Sequence, residues 1–166
     1  MHDCARIGRA LTAALLVALP GVCPDRAFAD LTVFAGRAAN APRTAVGAAL
    51  GLPLEPFGLE FEYAGMPADP VAGAPALQTG LLNLMVRTPL RTGRRIQVYA
   101  SVGGGAYRER REAHTRTGLA VGAGGGAYVR LAGPVRARVD YRLLAFRGDA
   151  RHRRLGRAYA GLDVAF

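Results

Sequence analysis

The stretch Val135-Arg136-Ala137-Arg138-Val139-Asp140-Tyr141-Arg142-Leu143-Leu144-Ala145 decides the fold. Val135, Ala137, Val139, Tyr141, Leu143 and Ala145 fall on one side of a period of two, and Arg136, Arg138, Asp140 and Arg142 fall on the other. Strict alternation is the signature of a strand with two different faces, because successive side chains of an extended backbone point to opposite sides. The same period recurs elsewhere. Phe57, Leu59, Phe61 and Tyr63 oppose Gly58, Glu60 and Glu62. Ile96, Val98, Ala100 and Val102 oppose Gln97, Tyr99 and Ser101. At the end of the chain, Ala158, Ala160, Leu162, Val164 and Phe166 oppose Arg157, Tyr159, Gly161, Asp163 and Ala165.

Extending this reading predicts eight strands, at 31–37, 44–53, 57–65, 77–87, 96–107, 117–131, 135–146 and 156–166. Many are near the ten residues that a tilted strand needs to cross a bilayer. The connections Pro53–Pro56, Thr88–Arg95 and Ala132–Pro134 carry turn signals. Gly65–Ala76, Arg108–Arg116 and Arg147–Leu155 read as longer loops at the other end, while Ala38–Arg43 is short. Short turns at one end and longer loops at the other mark a membrane barrel. A soluble β-sandwich or lipocalin-like barrel alternates too, but its water-facing side carries hydrophilic residues. Here the second face of several strands is small: Ala45, Gly47, Ala49 and Gly51, then Ala120, Gly122, Gly124 and Gly126. A narrow eight-stranded lumen needs such residues around a few large polar ones. The expected fold is therefore all-β, an eight-stranded antiparallel transmembrane β-barrel in an up-and-down meander.

The last eight residues, Tyr159-Ala160-Gly161-Leu162-Asp163-Val164-Ala165-Phe166, resemble the C-terminal signal of bacterial outer-membrane proteins. Tyr159, Gly161, Val164 and Phe166 occupy its aromatic, glycine and hydrophobic positions. Asp140-Tyr141-Arg142 and the stretch Val102 to Tyr107 resemble the small OmpA/OmpX-like and opacity-type eight-stranded barrels. The resemblance implies insertion by the barrel-assembly machinery, both termini in the periplasm and loops outside the cell. The absence of Trp departs from the usual aromatic girdles.

The start of the chain is consistent with that address. Arg6 and Arg9 precede the apolar run Ala10–Leu19, Pro20-Gly21 breaks it, and Ala27-Phe28-Ala29 offers small residues where a signal peptidase reads them. This is the layout of a secretory signal peptide over residues 1–29, leaving a barrel domain over 30–166. The run is too short for a bilayer-spanning helix, which needs ~20 residues. Both cysteines, Cys4 and Cys23, lie in the removed segment, so no disulfide is expected.

The chain has 166 residues, a formal net charge of +10 and 22 basic residues, every one an arginine. Export and the lack of interleaved aromatics for stacking argue against nucleic acid as the partner. The arginines divide instead into two sets. A lumen set of Arg130, Arg136, Arg138, Arg142 and Arg157 faces Glu60, Glu62, Asp140 and Asp163. Side chains from opposite walls of so narrow a barrel can meet, and isolated buried charges are costly, so these should pair into an ionic network that closes the lumen. A gated polar path is the alternative. The second set, Arg108, Arg110, Arg111, Arg116, Arg147, Arg151, Arg153 and Arg154, lies in the outer loops. There it either contacts lipopolysaccharide phosphate, for which the guanidinium fork is suited, or is simply solvated.

An enzyme is not expected. Some eight-stranded barrels modify lipid A as deacylases or acyltransferases using His with Ser. His114 and His152 fall in loops here, and no local motif brings them to Ser101, the one serine of the chain. Two histidines without clustered carboxylates make no metal pattern. The runs Gly103-Gly104-Gly105 and Gly124-Gly125-Gly126, each followed by Ala-Tyr, lack the Gly-Lys-Ser/Thr of a phosphate loop and read as neighbouring, strongly curved strands. No cofactor is expected, and the barrel is expected to be a monomer in contact with outer-membrane lipid.

Overall fold

The computed structural model describes residues 29–39, 43–54, 56–71, 73–88, 95–111, 114–148 and 153–166. The expected signal segment lies outside them up to residue 28. Eight strands are present: β1 (Asp30–Ala38), β2 (Thr44–Leu54), β3 (Phe57–Met66), β4 (Ala76–Arg87), β5 (Ile96–Arg111), β6 (His114–Ala132), β7 (Val135–Arg147) and β8 (Arg154–Ala165). Each pairs antiparallel with the next, and β8 returns to β1, closing the barrel. Closure removes the sheet edges that an open sheet would expose. At the seam, Val33 lies opposite Leu162 and Thr32 opposite Asp163. Beyond it, the Ala29 and Phe166 backbones exchange two hydrogen bonds of 2.9 Å.

The start of β1, the end of β8 and the connections after β2, β4 and β6 share one end, the terminal end. The β6–β7 turn there is Gly133-Pro134, where Gly133 has a φ of 53°, a left-handed conformation that glycine adopts without a Cβ clash. The connections after β1, β3, β5 and β7 lie at the other end, the arm end. At that end the sequence expectation needs one correction. Arg108–Arg116 is not a loop: β5 and β6 continue as a paired arm with only residues 112 and 113 between them, and β4 stays paired to β5 as far as Arg110. Arg108 lies opposite Thr117, and Glu109 opposite Arg116. The apolar face that reveals a strand is lost where no apolar surroundings demand it, so the extension carried no alternation of hydrophobicity.

The polarity of the barrel is inverted relative to a soluble protein. The outward face is apolar and exposed all the way round, including Val33, Leu50, Phe61, Leu82, Val98, Val121, Leu143 and Leu162, with Phe61 at 55 % and Leu82 at 57 % exposure. The inward face holds the buried charges, among them Glu60, Glu62, Arg138, Arg142, Arg157 and Asp163. A continuous apolar belt of this extent is far larger than the patches soluble monomers expose.

Small residues make the interior closable. A Cβ on Gly47 or Gly161 would collide with the Phe34 ring or its stem, and one on Gly126 would press on the Tyr99 hydroxyl at 2.6 Å. Large inward side chains thus lie over glycines on the neighbouring strand.

Candidate functional site

The lumen is layered along the barrel axis. Nearest the terminal end, Arg87 of β4 pairs with Asp30 of β1 at 3.0 Å, and Arg136 of β7 bridges Asp30 at 3.2 Å and Asp163 of β8 at 2.5 Å. Thr32 donates to the other Asp163 oxygen at 2.9 Å. In the middle layer, Arg138 spans the barrel to Glu60 and also meets Asp140 at 3.0 Å. Its Nε donates to the Tyr99 hydroxyl at 2.7 Å, and that hydroxyl donates to Asp140. Arg142 joins the middle layer to the next, meeting Glu60 at 3.2 Å and Glu62 at 2.5 Å. Arg157 and the Tyr159 hydroxyl also bind Glu62, the latter at 3.1 Å. Among the described residues, Arg87, Arg136, Arg138, Arg142 and Arg157 thus face Asp30, Glu60, Glu62, Asp140 and Asp163, and the formal charges cancel.

Aromatic rings fill the space between these ions. Phe34 stacks on Tyr159 at 4.3 Å, Tyr99 lies 4.9 Å from Tyr128, and the Arg136 guanidinium sits 4.5 Å above the Tyr128 ring. Cation–π contacts of this kind are stronger when desolvated.

Towards the arm end the lumen turns apolar. Ala38, Ala45, Met66, Leu81, Tyr107, Ala120, Leu144, Phe146 and Leu155 form one buried cluster. The ionic network therefore fills only part of the lumen. The inward register of β7 continues from Arg142 to Leu144 and Phe146, so the interior changes character along a single strand face. Above the cluster, Arg43, just before β2, reaches towards the β3–β4 connection and donates to the Pro67 and Pro75 carbonyls at 2.6 and 2.5 Å.

The sequence-derived sites fall as follows. Glu60, Glu62, Arg136, Arg138, Asp140, Arg142, Arg157 and Asp163 come together in the lumen. Arg130 does not: it continues the inward register of β6 but stands exposed at the terminal mouth, where the register shifts between Arg130 and Ala132. Asp30, Arg87, Tyr99 and Tyr159 join the network and were missed as members of it. For Asp30 and Arg87 the signal was available: extending the inward register of β1 by one step reaches Asp30, and Arg87 closes the inward register of the expected strand 77–87. Arg108, Arg110 and Arg116 are exposed on the β5–β6 arm, and Arg147, Arg153 and Arg154 are exposed beside the β7–β8 connection. Arg111 closes the arm opposite His114 in register. Arg151 and His152 lie outside the described residues. Of the terminal octet, Tyr159 and Gly161 point inward, and Val164 and Phe166 are exposed on the outer belt.

Ser101 is buried on the inward face of β5, opposite Gly124. His114 is ten residues further along β6, roughly 33 Å away at the usual rise per residue. The two cannot form a hydrogen-bonded catalytic pair. Among the described residues, no three His, Cys, Asp or Glu side chains gather as a metal-ligand set.

An inside-out, eight-stranded closed barrel with a balanced ionic network in its lumen is the architecture of the small outer-membrane β-barrel class. Solved structures with this fold include the N-terminal β-barrel domain of Pseudomonas aeruginosa OprF, at a TM-score of 0.66 and 13% identity over 83% of this chain and 96% of that one. Neisserial surface protein A matches at a TM-score of 0.59 and 14% identity over 83% and 94%. The Yersinia pestis outer membrane protein Ail, solved in a phospholipid bilayer nanodisc, matches at 0.52 and 8% over 85% and 100%. At these identities the likeness is one of fold. No protein-family model and no curated protein sequence matches the chain.

Proposed function

We propose that this protein is an integral outer-membrane β-barrel with a closed lumen, acting in envelope structure or surface interaction rather than catalysis. The observation that carries the reading is the inverted polarity: an exposed apolar belt around a buried ionic network. Water disfavours an exposed apolar belt of this extent and a bilayer favours it, while the charges are kept inside, paired and away from lipid. In this reading residues 1–29 are the export signal, the terminal end faces the periplasm, and Tyr159, Gly161, Val164 and Phe166 present the last strand to the assembly machinery. The folded barrel is a monomer, because closure leaves no strand edge to pair.

The arm end then faces outward. Its arginines, Arg108, Arg110, Arg116, Arg147, Arg153 and Arg154, stand where lipopolysaccharide phosphates lie, and bidentate guanidinium–phosphate contact is the interaction they are suited to. Envelope integrity, lipopolysaccharide contact and adhesion are the roles such a surface serves. The membrane reading is tested by fractionation with gel migration before and after boiling. A heat-modifiable band in the outer-membrane fraction is expected, and a periplasmic protein of unchanged mobility would refute it.

A further inference from the structure

The arginines of the arm end divide by face. On β5, β6 and β7 the outward register passes through Ala106, Leu119 and Ala145 of the apolar belt. Two residues further towards the arm end it reaches Arg108, Thr117 and Arg147, all exposed. On β8 the same face ends on Arg154, which lies opposite Ala145. Arg110 follows Arg108 on the outward face of β5. The other face takes the rest: Glu109, Arg116 and Arg153 continue the lumen register, and Glu109 and Arg116 lie opposite each other, neither of them free. No described carboxylate pairs with Arg108, Arg110, Arg147 or Arg154. Their cross-strand neighbours are Gln78 and Thr117 for Arg108, Ala76 and Thr115 for Arg110, Leu119 for Arg147 and Ala145 for Arg154, none of them acidic.

The stagger of the barrel sets these arginines level. Followed from Val33 through β2 to β6, the register arrives at Arg147 of β7. Followed from Val33 through β8, it arrives at Ala137 of the same strand. The difference from 137 to 147 is a stagger of ten residues around eight strands, so each step to the next strand climbs about one and a quarter residues towards the arm end. Arg147, in register with Ala106 and two strands on, therefore stands at the height of Arg108. Arg154, one strand further, comes out at that height as well. Arg108 and Arg147 are roughly 12 Å apart around the wall, from the strand spacing and tilt. Arg147 and Arg154 are diagonal neighbours about 7–8 Å apart. The corresponding ends of β2 and β3 carry Thr44 and Gly65 on the outward face, so the cationic band is one-sided.

We propose that this band is a docking surface for one lipid headgroup carrying two phosphates, with Arg108 and Arg110 on one phosphate, Arg147 and Arg154 on the other, and the Thr117 hydroxyl between them. The proposal rests on the membrane reading above and deepens it. Lipid is the source because the band continues the apolar belt on the same strand faces: a headgroup held there leaves its chains against Ala106 and Leu119. Guanidinium forks suit phosphate oxygens, and two separated clusters of like charge match two separated phosphates. A headgroup with a single phosphate satisfies only one cluster.

The test uses the folded full-length barrel in zwitterionic micelles at constant ionic strength, with heat-modifiable migration verified for every variant. The probes are lipid A with both phosphates and its one-phosphate form, and bound lipid is read by native mass spectrometry. Saturable binding of the two-phosphate form is expected, with the one-phosphate form about tenfold weaker. The variants Arg108→Gln/Arg110→Gln and Arg147→Gln/Arg154→Gln should each abolish that preference. Arg116→Gln/Arg153→Gln, on the lumen register, should keep it. Equal binding of the two lipids by the parent overturns the docking surface, as does a preference that survives both outward variants or is lost as fully in the lumen-register variant. Loss of heat-modifiability in the parent would instead count against the membrane barrel itself.

Discussion

Arg138 of β7 and Glu60 of β3 form an ion pair across the full width of the lumen, both side chains completely buried. β3 and β7 stand four strands apart in either direction around the barrel, so no local pairing brings these residues together; only closure does. The pair is held on both sides. Arg138 also meets Asp140 and Tyr99, while Glu60 also accepts from Arg142 and, at 3.4 Å, from Asn83. A buried ion pair is weak evidence for net stability, but breaking one leaves a charge without compensation.

Glu60→Ala is therefore expected to destabilise the barrel by about 3–5 kcal/mol, because Arg138 and Arg142 both lose a carboxylate. Glu60→Ala combined with Arg138→Ala should cost clearly less than the sum of the single changes. Urea unfolding in detergent micelles, analysed as a double-mutant cycle, measures this; additivity would show that the pair is not coupled.

Gly126→Ala should cost about 1–3 kcal/mol, because the added methyl presses on the Val139 carbonyl and the Tyr99 hydroxyl. Gly80→Ala is the matched control, as an added Cβ there meets nothing within 4 Å. Equal stability of the two variants in the same unfolding assay would refute the packing argument.

Leu82→Arg places a charge on the outer belt, where Leu82 lies opposite Phe61. In lipid vesicles it is expected to destabilise the barrel by about 2–4 kcal/mol, as arginine does near a bilayer midplane. The exposed surface of a water-soluble barrel would tolerate the change within about 0.5 kcal/mol.

The closed lumen predicts no steady large conductance for the purified protein in planar bilayers. Two barriers lie in series: the neutral ionic network and the apolar cluster of Leu81, Leu144 and Phe146. Leu144→Ala should lower stability by about 2–5 kcal/mol through the cavity it leaves. It should not open a conducting path, since the ionic layers remain.

Replacing Arg108, Arg110, Arg147 and Arg153 together by Gln should reduce lipopolysaccharide co-purification while leaving the heat-modifiable band unchanged. These side chains are exposed at the arm end, away from the lumen. Undiminished co-purification would assign them to a solvated surface.

The eight strands were legible because their two faces meet different surroundings, and a period of two records that difference residue by residue. Val135–Ala145 and the terminal octet carried both the period and the contrast. The strand ends read poorly where the contrast stops: the extension of β5 and β6 through Arg108–Arg111 and His114–Arg116 is built of charged residues, histidine and threonine, with no apolar face of its own to mark the period. The same reasoning explains Arg130. Its register points inward, but its height puts it at the mouth, and a period reports direction without height.

The sequence by itself determined the alternation, the inward set of charges and the small residues that let a narrow barrel close. Those are local properties, set by which side of an extended backbone each residue occupies. Only the tertiary structure decided which charges meet. Arg138 finds Glu60, Arg157 finds Glu62 and Arg136 finds Asp163 because closure and strand stagger bring particular heights of different walls together. It also decided that the interior turns from ionic to apolar between Arg142 and Leu144, because that change depends on what the other walls contribute at each height.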